Sequence, residues 1–464
     1  MIHQIELGLY VLISLVLLAK AMQRPIWAVA YYMLNFFAQP DYWSWGQALT
    51  NPGMLRWSLL SGVFLTVVVL IHRNQRRFHP DSNGLRAGVF LVLGLANAGV
   101  VHFLGAYDRV ASYEVLVEFA KFNVLYFVMI AAVRSQRDFF LLLVFFAVGL
   151  GYWGFEAKFI GLTLENGRLE HFGGPGCANS NELASIIASL LPLVGCLLFV
   201  TKGVGRLMTV FASGLALNTL FLCNSRAGFL GAIAGIPALF TLTRSGTHKY
   251  AIYGLTAAAL GTFVLAGNPK IMSRFLSTFT NDPVLTQQFE TTPEKIDQEN
   301  KTRRLLYWSA AMNLLGDKPW GTGGNCFKAG MGDPYIVEVG LNHKRKSCHQ
   351  GFLEIAMAWG IQGLFLHLGF LGSAGLATLK VLRFQSRIGN HRFAFVGICI
   401  LSGFSAFLVT SFFSSVLHLE WGYWLSVTAV TYAKIYGEKN YDLSGYFPTN
   451  THAGSPEPVF VGAQ

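Results

Sequence analysis

Apolar residues run along this chain in stretches of about 20, apolar on every face and separated by short polar connections. That pattern predicts helices that cross a bilayer. The candidate spans are 5–22, 26–39, 55–72, 86–104, 113–133, 139–155, 182–201, 206–222, 227–243, 250–267, 350–379, 393–415 and 417–434, with 26–39 short enough to lie at the interface instead. A membrane strand needs only about 9 to 11 alternating residues, so the expected fold is all-α, a polytopic membrane helical bundle of about 12–14 transmembrane helices. The opening run Leu7–Leu18 lacks a basic lead-in and a small-residue cleavage site, and reads as the first membrane helix.

The pattern breaks once, from Asn268 to His349, the only long polar segment before the tail. Within it, Asp297–Gly316 predicts an amphipathic helix: acidic residues near its start, apolar residues at 305, 308, 312 and 315, and a closing glycine. Pro319–Gly324 follows as a flexible turn. No repeat or Pro/Ser-rich linker divides the chain. Residues 1–436 therefore read as one membrane domain carrying 268–349 as an external catalytic loop, and 437–464 as a disordered cytoplasmic tail.

Composition agrees: 53% of the 464 residues are hydrophobic and only 13% are charged, which excludes a soluble class. The net charge of +11 raises the question of nucleic acid. The basic residues, however, sit in the short connections His72–Arg77, Arg134–Arg137, Lys202–Arg206, Arg244–Lys249 and Lys380–Arg392, as the positive-inside rule predicts, so no nucleic-acid partner is expected. Placing these connections in the cytoplasm puts 156–181, 223–226 and 268–349 outside. The outer segment still holds eleven Lys or Arg against eight Asp or Glu, which fits an acidic ligand there or a solvated surface. The six cysteines match no metal spacing; Cys326 and Cys348 share the outer segment, as a disulfide or as two free thiols.

Candidate chemistry gathers on that side. Arg226, in Leu222–Phe229, stands between two membrane helices, where it can snorkel to the interface or grip a phosphate with its planar donor fork. Arg303 and Arg304 lie on the amphipathic helix, the second on the face of Trp308, and can equally form a solvated basic face. His349, entering the next helix, can take a proton near neutral pH or serve structure alone. Glu354 falls inside an apolar run, where a carboxylate needs an arginine or a water-filled cavity. His418 and Glu420 are weaker candidates of the same kind. Glycines and asparagines in Gly173–Asn181 can offer N–H groups to an anion or form an ordinary turn with a helix cap.

Several segments, in order between about 160 and 365, resemble the O-antigen ligase superfamily of bacterial membrane glycosyltransferases: Gly173-Gly174-Pro175 through Asn181-Glu182-Leu183-Ala184, Asn224–Gly228, Arg304–Trp308 with Pro319–Gly323, and His349 with Leu353-Glu354 and Gly360–Leu364. Arg24-Pro25-Ile26 and Tyr42–Trp45 are similar to the branch of O-glycosylation ligases associated with exosortase systems. Gln350 departs from the Asn or Ser that many relatives carry after the histidine. The resemblance implies an undecaprenyl-diphosphate-linked glycan donor whose diphosphate is bound by Arg226 and Arg304, and His349 as the catalytic residue that activates the acceptor hydroxyl or otherwise assists transfer; Arg303 and Glu354 are further substrate-binding candidates from their positions. It also implies a glycan, lipid or protein acceptor, membrane lipids as surroundings, and a multi-pass place in the bacterial cytoplasmic membrane with the site facing the periplasm. A lipid diphosphate is already a good leaving group, so no metal or cofactor is expected, and attack opposite to it inverts the anomeric centre. A polymerase joining lipid-linked units would share this donor site. A lipid-linked sugar transporter or flippase fits the helix number but places its polar groups near the midplane.

Overall fold

A computed structural model describes residues 2–40, 42, 45–46, 57–73, 82–160, 164–165, 168–170, 172–174, 176–177, 179–243, 247–250, 252, 293–342 and 345–438. The span expected at 250–267, the outer segment up to 292 and the tail from 439 lie outside the described residues. Fourteen α-helices are described: α1 (Ile2–Ala21), α2 (Ile26–Ala38), α3 (Trp57–Ile71), α4 (Ser82–Gly105), α5 (Arg109–Ala132), α6 (Gln136–Phe155), α7 (Ser180–Val200), α8 (Gly203–Cys223), α9 (Arg226–Leu242), α10 (Pro293–Asp317), α11 (Asp333–Glu338), α12 (Gly351–Arg387), α13 (His391–Phe413) and α14 (Glu420–Tyr436). A two-residue hairpin, β1 (Leu164–Glu165) with β2 (Arg168–Leu169), is the only sheet among them.

Eight of these helices are long and apolar enough to cross a membrane, and α2, α3 and α9 are shorter apolar helices. The chain is an all-α polytopic bundle. The short α2 is buried along almost its whole length, from Ile26 to Ala38, so other helices and not solvent cover it. α14 is enclosed as completely, with Trp421, Trp424, Tyr432 and Tyr436 at 1% exposure or less.

Two expected boundaries shift. The basic stretch Lys380–Arg392 is mostly helical: α12 runs to Arg387 and only Ile388–Asn390 form the turn. Likewise α8 begins at Gly203, leaving Thr201–Lys202 between helices. Charged side chains at a helix end do not stop the helix.

One end of the bundle is tied by basic residues. Arg24 reaches Asp138 at 2.6 Å, Lys434 Nζ donates to the carbonyls of Ile130 (3.0 Å) and Val133 (2.9 Å), and Gln385 Nε2 donates to that of Tyr436 (2.7 Å). At the other end Arg168 meets Asn181, Ser225 meets the same Asn181, and Ser347 meets Ser415. The up-and-down course of the helices thus collects the described residues of 156–179, 223–226, 319–350 and 414–419 at one end. The basic connections 134–137, 200–206 and 383–392 lie at the opposite end.

Candidate functional site

The collected connections enclose a cavity of about 460 Å³. α10 supplies one wall. Its buried face is Tyr307, Ala310, Ala311 and Leu314, while Leu305 (61%) and Met312 (55%) stay exposed. The expected stripe at 305, 308, 312 and 315 is therefore turned from the true one, and only Trp308 of the aromatic anchors is shared. Trp308 Nε1 donates to the Cys348 carbonyl at 3.0 Å, which fixes α10 to the connection leading into α12.

Another wall comes from a break in α12. Gly360 (φ 80°, ψ 171°) is not helical, so the carbonyls before it lose their intrahelical donors. The segment Pro319–Gly323 replaces them: Thr322 N–H donates to the Met357 carbonyl (2.8 Å), Gly323 N–H to Ala358 (2.9 Å), and Ile361 N–H to Pro319 (2.9 Å). Asn97 Nδ2 takes the Trp359 carbonyl at 2.8 Å. Irregular backbone in a membrane protein needs such internal partners. Gly321 (φ 97°) has to be glycine, because a Cβ there would lie 2.5 Å from Gly360 N. The expected flexible turn is thus a docked plug that holds Glu354–Trp359 against the cavity.

Of the residues singled out in the sequence, Arg304, His349 and Glu354 line this cavity together, joined by His418, Glu182 and Lys328. Arg303 does not line it; it acts on the Tyr307 hydroxyl one turn along α10. Arg226 opens α9 just behind the wall, where the N-cap Ser225 donates to Asn181 Oδ1 at 2.7 Å, and Asn181 is a wall residue. Gly228 admits no ligand: a Cβ there would lie 2.5 Å from the Ala184 methyl, so it serves α7–α9 packing. Glu420 is enclosed in the bundle, accepting from the Tyr32 hydroxyl and from Trp424 Nε1 at 3.0 Å. Glu354 meets the cost of its position on the cavity wall, where it accepts from Ser347 and, at 2.7 Å, from Ser415.

The asparagine-rich run before α7 does cap that helix: Asn179 Oδ1 accepts from Asn181 N (3.1 Å) and Glu182 N (3.0 Å), and Gly174 N donates to Gln39. Its polar side chains nevertheless reach the cavity. Lys328 had no signal beyond the positive balance of its segment, because the π-helical turn Phe327–Met331 that presents it has no sequence signature. Cys326 and Cys348 are separate buried free thiols, and burial raises the pKa of both.

His349 is solvent-accessible in this recess, yet the surrounding protein desolvates it and lowers its pKa below the ordinary 6.5. Glu354 opposes that shift, whereas Arg304, Lys346 and Lys328 add to it. The imidazole is accordingly neutral at pH 7, able to accept a proton beside two cations that attract an anion.

Fold and cavity define a multi-pass helical membrane protein with a recessed polar site at one end of the bundle, lined by Arg304 and Lys328 together with Glu182 and Glu354. Residues 211–368 match the model of the O-antigen ligase family. The match takes in Arg226, Arg304, His349 and Glu354. The wall formed by 179–182 and 413–419 lies outside it. No curated protein matches the chain.

Proposed function

We propose that this cavity transfers a glycan from an undecaprenyl-diphosphate carrier to an acceptor hydroxyl at the outer face of the bacterial cytoplasmic membrane. The observation that carries the reading is the meeting of Arg304, Lys328 and a neutral-favoured His349 on one recess of an otherwise apolar bundle. The acceptor oxygen attacks the anomeric carbon as the bond from that carbon to the diphosphate oxygen breaks. The hydroxyl proton passes to His349, and the electron pair leaves with the lipid diphosphate. Arg304 and Lys328 stabilise that leaving charge without needing to be reorganised. Arg226 supports the donor from behind the Asn181 wall. Attack from the side opposite the diphosphate inverts the anomeric centre.

In this reading residues 1–436 act as one membrane domain, with the segment 268–349 facing the periplasm, and the tail 437–464 takes no part in transfer. Ligase and polymerase differ only in the acceptor, so one experiment separates them. Purified protein in liposomes receives a diphosphate-linked glycan with lipid A core, a protein or a second lipid-linked unit. Transfer to the first or second marks a ligase, and chain extension marks a polymerase. Failure to release undecaprenyl diphosphate with any acceptor would sink the proposal.

A further inference from the structure

The approach to α12 contains a hydrogen-bonded arrangement that the transfer reaction as described does not use. His349 sits at φ 53°, in the left-handed region that non-glycine residues rarely enter. Its neighbours Cys348 and Gln350 are buried, whereas its own side chain opens to the cavity. The run is held from three directions. α10 holds the Cys348 carbonyl through Trp308, and Gln350 caps the first turn of α12 by accepting from Leu353 N. The third hold is a cluster around one carboxylate oxygen. His349 N–H donates to Ser347 Oγ at 3.0 Å, the Ser347 hydroxyl donates to Glu354 Oε1, and Ser415 Oγ lies 2.8 Å from Ser347 Oγ and donates to Glu354 Oε1 at 2.7 Å.

We propose that Ser347, Ser415 and Glu354 are positioning residues that clamp the His349 backbone in its left-handed conformation, so that Glu354 serves the histidine and not the substrate. The inference rests on the glycan-transfer reading of the cavity. Ser415 belongs to the connection between α13 and α14, outside the segment matched by the family model, so the clamp joins the α12 entry to a separate part of the bundle. A carboxylate is suited to the task because one oxygen can accept from both hydroxyls, leaving the Ser347 lone pairs for the His349 N–H. Its charge has a second effect. Of the groups facing His349, Glu354 of α12 favours the imidazolium, while Arg304 of α10, Lys328 of the π turn and Lys346 of the approach disfavour it.

The test measures kcat, donor KM and the pH profile of kcat on reconstituted full-length protein with a diphosphate-linked glycan. Ser347→Ala combined with Ser415→Ala is expected to lower kcat by about 10- to 100-fold, the scale of a misplaced reacting group, with donor KM within about twofold. Ser415→Thr keeps the hydroxyl and should recover most of what Ser415→Ala loses. Glu354→Gln keeps an acceptor oxygen but drops the charge, so its acid limb should move to lower pH, with a smaller fall in kcat than in Glu354→Ala.

Equal losses in Ser415→Thr and Ser415→Ala, or wild-type kcat in the double alanine variant, would overturn the clamp. A rise of more than about tenfold in donor KM for Glu354→Gln would make Glu354 a substrate contact instead. If the alanine variants do not fold, Glu354→Gln decides alone, and wild-type kcat or an unmoved acid limb in it overturns the proposal. Wild-type transfer by His349→Ala is a separate result: it removes the parent reading, whereas loss in His349→Ala with full activity in the serine variants removes only the clamp.

Discussion

At the scale of single residues the proposed transfer would depend on two chemistries, a base at His349 and a diphosphate contact at Arg304. His349→Ala is expected to slow transfer by about 10² to 10⁴ while donor KM changes little, because the cations remain. His349→Gln should stay low, since an amide keeps a hydrogen bond but accepts no proton near neutrality. The base has to be neutral to act, and desolvation holds its pKa below 6.5, so activity should fall only as pH drops through a midpoint under that value. A midpoint above 6.5 in kcat of the reconstituted protein would contradict the assignment. Arg304→Lys tests the other chemistry: a planar fork on a diphosphate is poorly replaced by an ammonium, and donor KM should rise by about tenfold or more. Wild-type KM in Arg304→Lys would show that charge alone suffices there.

At the scale of elements, the plug of Pro319–Gly323 in the α12 break determines where Glu354–Trp359 lie. Gly360 adopts a conformation open essentially to glycine, and Gly321 both has positive φ and touches the Gly360 backbone. Gly321→Ala and Gly360→Ala should each cost about 1 to 3 kcal/mol or more, seen as a lower unfolding temperature in detergent together with lost transfer. Wild-type stability in both would mean the plug is not held as described. Gly321 was visible in the sequence as part of a turn, whereas Gly360 lay inside an expected membrane span. Their joint purpose was not, because the partner backbone in α12 is some 35 residues away and a close backbone contact leaves no local pattern.

At the scale of the whole molecule the prediction is topological. Glu338→Cys and Asn342→Cys, at exposed positions of the cavity end, should react with an impermeant thiol reagent in intact cells lacking the native cysteines. Gln136→Cys and Arg387→Cys, at the basic end, should react only after the membrane is opened. The reverse pattern would place the cavity in the cytoplasm. Gly330 and Gly389 are poor labelling positions, since φ values of 128° and 75° would strain a cysteine.

Among the described residues, hydrophobic patterning along the chain was enough to determine helices, their approximate limits and the gathering of the basic connections 134–137, 200–206 and 383–392 at one end, because burial in a bilayer demands long apolar runs and charge follows topology. Arg304, His349 and Glu354 were legible too, as ionisable groups where an apolar chain tolerates few. What only the tertiary structure decided is which of them meet. The face of α10 was misread because Tyr307, Ala310, Ala311 and Leu314 are chosen by the partner they pack against, and not by being the most apolar residues of the helix. Lys328, Ser347 and Ser415 carry no individual signature. They join the cavity through a π turn, a left-handed residue and a contact between distant connections, and the energies that place them arise only when the helices pack.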